Sequence, residues 1–204
     1  MTTLPPLSPT LPLLRVRQVG QRYGQRIALQ DASFDLWPGE VLAVVGESGS
    51  GKTTLLNALA ARTAPAQGTV EFLSRDGALH DVHTLSEAQQ RLLARTDWGF
   101  VHQNPADGLR MDVSAGANVG ERLMGLGERH YGRLRQTAVQ WLERVEIDPA
   151  RIDDTPRTFS GGMRQRLQIA RNLVTHPRLV FMDEPTSGLD VSVQARLLDL
   201  LRQL

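Results

Sequence analysis

Lys52 is the one lysine of this chain, and the remaining 22 of its 23 basic residues are arginines. It stands in Gly46-Glu47-Ser48-Gly49-Ser50-Gly51-Lys52-Thr53, followed by Thr54, with the spacing G-x-x-x-x-G-K-[ST]. That pattern has a physical logic. Glycines let the backbone fold so that successive N–H groups aim at one phosphate, and a compact ammonium can bridge two phosphates inside that nest. A wide planar guanidinium would not fit there. The hydroxyl after the lysine is placed to reach Mg²⁺. The expected ligand is therefore a nucleoside triphosphate with its metal.

A second group of residues could act on such a ligand. Asp183 and Glu184 follow the apolar run Leu179-Val180-Phe181-Met182. With a triphosphate bound, Thr53 and Asp183 would hold Mg²⁺ between the β- and γ-phosphates. Glu184 would orient or deprotonate the attacking water. Two solvated acids at a strand end are the bland alternative, and the glycine loop favours the catalytic reading. Gln103, after the run Trp98 to Val101, could reach the metal or the water, although a glutamine before Asn104-Pro105 says little by itself. Phe159-Ser160-Gly161-Gly162-Met163 leads into Arg164-Gln165-Arg166-Leu167-Gln168-Ile169-Ala170-Arg171. Serine is a good N-cap, and a glycine-rich helix start leaves N–H groups that attract phosphate. An ordinary capped helix start has the same composition.

These residues need elements to hold them. Val41-Leu42-Ala43-Val44-Val45 reads as a buried strand feeding the glycine loop, and the run Thr54 to Ala60 opens a helix. Leu13 to Val19 and Ile27 to Leu36 alternate as antiparallel strands, and Thr69 to Leu73 is a short strand. Ser86 to Ala94 reads as a helix that Ser86 can cap, and Trp98 to Val101 as a strand that Pro105 ends. From Asp112 to Ile147 the pattern is helical, with Leu134, Ala138, Trp141, Leu142 and Val145 on one face. Leu179 to Met182 would be a parallel strand whose C-terminal end presents Asp183 and Glu184, the edge at which ligands bind in open α/β sheets. The alternation of strands and helices predicts an α/β fold with a mostly parallel central sheet.

Taken together, the motifs resemble those of the ATP-binding-cassette (ABC) ATPases, and the resemblance covers nearly the whole chain. The family's adenine-stacking aromatic matches Tyr23, its phosphate loop Gly46 to Thr53, its Q-loop Gln103 and its signature Ser160-Gly161-Gly162. Its Walker B strand matches Leu179 to Asp183, its catalytic glutamate Glu184, and its D-loop Ser187-Gly188-Leu189-Asp190. The resemblance implies an α/β P-loop NTPase: an ABC nucleotide-binding domain over 13–204, after a loose leader over 1–12, with an antiparallel β subdomain and an inserted helical subdomain at about 105–157. It implies ATP and Mg²⁺ as ligands. It also implies an ATP sandwich with a second copy or a paired ABC subunit, in which Ser160 of one subunit faces the loop of the other. The family's switch histidine lies beyond the D-loop helix, whereas this chain ends at Leu204 within the expected helix Val191 to Gln203, and its last histidine is His176. The expectation is an incomplete cassette, without its last strands, that binds ATP better than it hydrolyses it.

Subgroup features narrow the resemblance. Trp98 to Gln103, Asp107 to Arg110, Val113 to Met124, Arg129 to Gly132 and Arg151 to Asp154 look like the ATP-binding subgroup of bacterial carbon–phosphorus lyase systems. That subgroup docks on a soluble lyase core complex. The alternatives are the ATPase of a dipeptide or nickel importer, docked on a membrane permease, and a binding module without turnover.

Composition sets bounds. A net charge of +1 gives no global reason to expect nucleic acid as a partner. The absence of cysteine excludes disulfides and thiolate metal sites and fits a cytoplasmic location. No apolar run approaches a membrane span. Met1 to Pro12 has four prolines and no basic residue, unlike a secretory signal.

Overall fold

The computed structural model describes residues 11–185 together with Gln194 and Asp199. The first ten residues of the expected leader, Asp190 with the D-loop around it, and all of the expected helix Val191 to Gln203 except Gln194 and Asp199 lie outside the described residues. Of the leader's remainder, Pro12 is buried and not loose. The chain divides into two compact units, residues 1–90 and 91–204.

The first unit is built on a four-stranded antiparallel sheet. Its strands are β1 (Leu14–Tyr23), β2 (Arg26–Leu36), β3 (Gln67–Leu73) and β4 (Leu79–Asp81), in the order β2-β1-β3-β4. Alternation sets the faces: Leu14 and Val16 are buried, while Arg15 points the other way, between Asp35 at 3.7 Å and Glu71 at 3.9 Å. Register follows the same pattern, with Leu14 opposite both Leu36 and Phe72, and Val16 opposite Val70. A register shift between Arg17 and Gly20 faces Gly68, whose φ is +86°. A Cβ there would lie 2.4 Å from the Gln18 carbonyl oxygen, so only glycine allows this close approach. Helix α1 (Lys52–Leu59) buries Leu55, Ala58 and Leu59.

Two expectations about this region are corrected. Val41 to Val45 is not a strand, and Val41 and Val45 are 89% and 88% exposed. A parallel strand needs ladder partners at its edges and cover on its faces. Among the described residues no ladder includes this run, and its side chains are left exposed. Nor do the described strands form one mostly parallel sheet. The parallel part is a single pair in the second unit, and β4 is a strand that sequence patterning missed.

The second unit holds that pair, β5 (Trp98–Val101) and β6 (Leu179–Met182), in the register Trp98 to Leu179 through Val101 to Met182. Helix α2 (Glu87–Thr96) leads into it and starts with a capping box, in which Ser86 Oγ accepts from Gln89 N–H and Gln89 Oε1 accepts from Ser86 N–H. The helical stretch is broken into α3 (Ala115–Gly125) and α4 (Tyr131–Arg144) by Gly127 at φ +101°. Both share one core with α5 (Gly161–Leu173). Ala138, Trp141, Leu142 and Val145 of the predicted face are buried there beside Val119, Leu167, Ile169 and Leu173, while Leu134 is half-buried. Trp98 and Phe181 meet edge-on across the strand pair, with centroids 5.6 Å apart. No helix among the described residues is long and apolar enough to cross a membrane.

Candidate functional site

The residues singled out by their chemistry fall into two groups, one in each unit. In the first, the loop from Gly46 to Gly51 closes on itself. Lys52 Nζ donates to the carbonyls of Gly46 and Glu47, each at 2.9 Å, and Ser50 N–H donates back to Glu47 O at 3.2 Å. The ammonium is thus held over its own loop by neutral acceptors. Gly49 and Gly51 take φ of +78° and +98°. Gly51 is the N-cap of α1, and a Cβ on it would lie 2.2 Å from the Ala28 carbonyl oxygen of β2. Handedness and space therefore both demand glycine at that position. No side chain caps this end of α1. Its first-turn N–H groups point out of the helix without intrahelical acceptors, which suits an anion. Glu47, Ser48, Gly49 and Ser50 are exposed, as is Thr53, and Thr54 is half-buried. Tyr23 ends β1 at a two-residue turn through Gly24 and is 54% exposed.

In the second unit the strand pair brings distant residues together. Because Val101 pairs with Met182, β5 and β6 release Gln103 and Glu184 side by side at their C-terminal ends, and Asp183 N–H extends the ladder to Val101 O at 2.9 Å. Gln103 Nε2 donates to Glu184 Oε2 at 2.8 Å across 81 residues of sequence. Glu184 has φ +44°, the left-handed region that non-glycine residues occupy at a cost. Its carboxylate is turned out of the strand direction and toward Gln103. Ser160 caps α5 by accepting from Met163 N–H at 3.3 Å. Ser160 and Gly161 are exposed, and a Cβ on Gly161 would meet nothing within 4 Å, so this helix end is open. Phe159, just before it, is buried beneath the Arg151 guanidinium at 4.6 Å and anchors the turn.

Sequence reasoning missed the residues beneath this second group. Gln165, Gln168 and Asn172 are buried in α5; the amides of Gln168 and Gln165 bond to the segments that leave β5 and β6, and Asn172 accepts from Phe100 N–H within β5. A signal existed: three amides spaced by three and four residues lie on one helix face, among Leu167, Ile169 and Leu173.

Thr53 in the first unit carries a hydroxyl and Asp183 in the second a carboxylate, each a hard oxygen donor of the kind Mg²⁺ takes.

Comparison with known proteins identifies the family. The family model described as ABC transporter matches residues 29–187. The chain is 64% identical over 193 residues to the putative phosphonates utilization ATP-binding protein PhnK of Escherichia coli K12, covering 95% of this chain and 75% of that protein. It is 40% identical over 199 residues to a putative peptide import ATP-binding protein of Brucella ovis, covering 95% of this chain and 60% of that one. Among solved structures, a dimeric ATP-binding cassette in a post-hydrolysis state with ADP and Pi superposes with a TM-score of 0.82 at 28% identity, covering 92% of this chain and 81% of that one. The family model over residues 29–187, together with 64% identity to a relative over 95% of the chain, places this chain in the ABC transporter family.

Proposed function

We propose that this chain is the ATP-binding and ATP-hydrolysing subunit of a carbon–phosphorus lyase system for organic phosphonate catabolism. In that role it works in the cytoplasm and drives a conformational change of a soluble lyase core complex. The carrying observation is the 64% identity, over 95% of the chain, to a protein named for phosphonates utilization. The loop geometry supports the nucleotide half of the reading, since Lys52 is already held where phosphate oxygens would replace the carbonyls of Gly46 and Glu47.

Within that reading each residue has a task. The N–H groups of Gly46, Glu47, Ser48, Gly49, Ser50 and Gly51, with Thr54 behind them, cradle the phosphates, and Lys52 neutralises their charge. Tyr23 stacks on adenine. Thr53, Gln103 and Asp183 hold Mg²⁺, which when bound neutralises charge on the β- and γ-phosphate oxygens. Glu184 accepts a proton from the attacking water, and the Gln103 amide keeps its carboxylate in place. Ser160, Gly161 and Gly162 of one subunit, together with Asp190, contact the nucleotide of a second copy or a paired ABC subunit. The dimeric form of the solved cassette supports that arrangement. The helical subdomain at about 105–157 is the face for the lyase core.

Removing the ammonium deprives the phosphates of a charge-assisted partner worth about 2–3 kcal/mol. Lys52→Ala should therefore weaken binding of a fluorescent ATP analogue roughly 30- to 150-fold; unchanged affinity would overturn the nucleotide reading. Deleting the gene in cells given phosphonate as sole phosphorus source should abolish growth while phosphonate uptake persists. A second reading, the ATPase of a peptide-type importer on a membrane permease, is favoured by the 40% identity to the Brucella ovis protein. Lost uptake, or a defect confined to peptides, would select it.

A further inference from the structure

Three amides on the buried face of α5 form a connected row. Gln168, with no exposed surface, accepts from His102 N–H through Oε1 and donates to His102 O at 3.1 Å through Nε2. The same Nε2 lies 3.4 Å from Gln165 Oε1, and Gln165 Nε2 donates to Pro185 O at 3.2 Å. Asn172 accepts from Phe100 N–H at 3.0 Å and donates to Gln168 O at 2.9 Å. His102 immediately precedes Gln103, and Pro185 immediately follows Glu184. The row thus grips the backbone on both sides of the side-chain bond from Gln103 to Glu184 that joins the two strand exits. Gly108 packs on the same amide so closely that a Cβ there would lie 2.5 Å from Gln168 Oε1, which leaves Gln168 little freedom to shift.

Such burial is costly unless every polar atom is satisfied, and an apolar residue would fill the α5 face at less risk. Three buried amides in an otherwise apolar face therefore need a reason. We propose that Gln168 and Gln165 are positioning residues for hydrolysis: they set the backbone of His102 and Pro185 so that Gln103 and Glu184 stand in working geometry. This deepens the ATPase reading and rests on it. Glu184 needs this support in particular, since its φ of +44° is not one its own residue type prefers. The row starts one turn into the helix capped by Ser160, so a contact at that helix end is carried to both exits by hydrogen bonds within one rigid element.

The test uses Gln168→Met, close in volume and without hydrogen bonds, in the full-length protein. A displacement of about 1 Å at reacting groups can cost up to about a hundredfold in rate. The expected result is a kcat lowered about tenfold to a hundredfold, with affinity for a fluorescent ATP analogue within about twofold of the parent. Gln165→Met cuts the Pro185 link and the contact to Gln168 but leaves the two His102 bonds, and should show the same split, less deeply; it carries the test if Gln168→Met does not fold. Folded variants with parental kcat would overturn the proposal, as would a loss confined to nucleotide affinity. A parent that neither binds nor hydrolyses ATP would instead overturn the functional reading beneath it.

Discussion

The glycine loop and the Gln103–Glu184 pair are built in opposite ways. The loop spans eight consecutive residues, is largely exposed, and is held by bonds among its own members, with an outside constraint at Ala28. The pair joins residues 81 apart, and its side chains are exposed, but the backbone beneath them is fixed by fully buried amides from a third element. A phosphate cradle needs only backbone N–H groups in one local shape, which glycines and spacing can encode. A water-activating pair needs two side chains at a fixed separation, and only packed elements hold two chain segments that way.

If that contrast is right, the two regions should fail differently. The largest effect is expected at the pair: Glu184→Gln keeps size and the bond to Gln103 in reach but removes the proton acceptor. Turnover measured by phosphate release should fall about 10²- to 10⁴-fold with ATP binding retained. Equal losses of binding and turnover would erase the distinction. Next comes the loop, where Gly51→Ala forces a Cβ toward the Ala28 carbonyl at a φ of +98°. The left-handed strain alone is about 1–2 kcal/mol, so nucleotide affinity should drop at least about tenfold while the melting curve of the second unit is kept. Parental affinity would show that the loop tolerates distortion and is less local than described.

The smallest effect sharpens the same contrast at a surface site. Glu128 ties down the turn that enters α4: Arg133 Nε donates to it at 2.8 Å, and the N–H groups of His130 and Arg129 also donate to it. These bonds, the Arg133 one foremost, lower its pKa from the usual 4.5 to about 2. A depressed carboxylate contributes stability that is complete above about 4.5 and is lost as pH falls toward 2. Urea midpoints at pH 7 and pH 3 should therefore converge between parent and Glu128→Gln on acidification. Because the group is exposed, salt should shrink the difference at pH 7. Parallel curves at all pH values would remove Glu128 from a role in holding that turn.

Much of this was legible before any coordinates. β5 and β6 fall where Trp98 to Val101 and Leu179 to Met182 place them, because short apolar runs between turn residues have few other uses. Ser160 caps its helix, and the Trp141 face is buried as its spacing requires. The run Val41 to Val45 was misread for the same reason that makes such runs persuasive. Five apolar residues announce a buried strand only if partners exist to bury them, and composition says nothing about partners.

By itself the sequence determined the family, the phosphate loop and the identities of the acids and amide that could act on a triphosphate, since each depends on residue type at fixed local spacing. The tertiary structure alone decided that Gln103 meets Glu184, that Glu184 sits at positive φ, and that Gln165, Gln168 and Asn172 are structural amides and not surface ones. Those facts depend on which elements pack together across long stretches of chain: helical spacing marks the three amides as sharing a face, but the order of residues does not say which distant segments they bond.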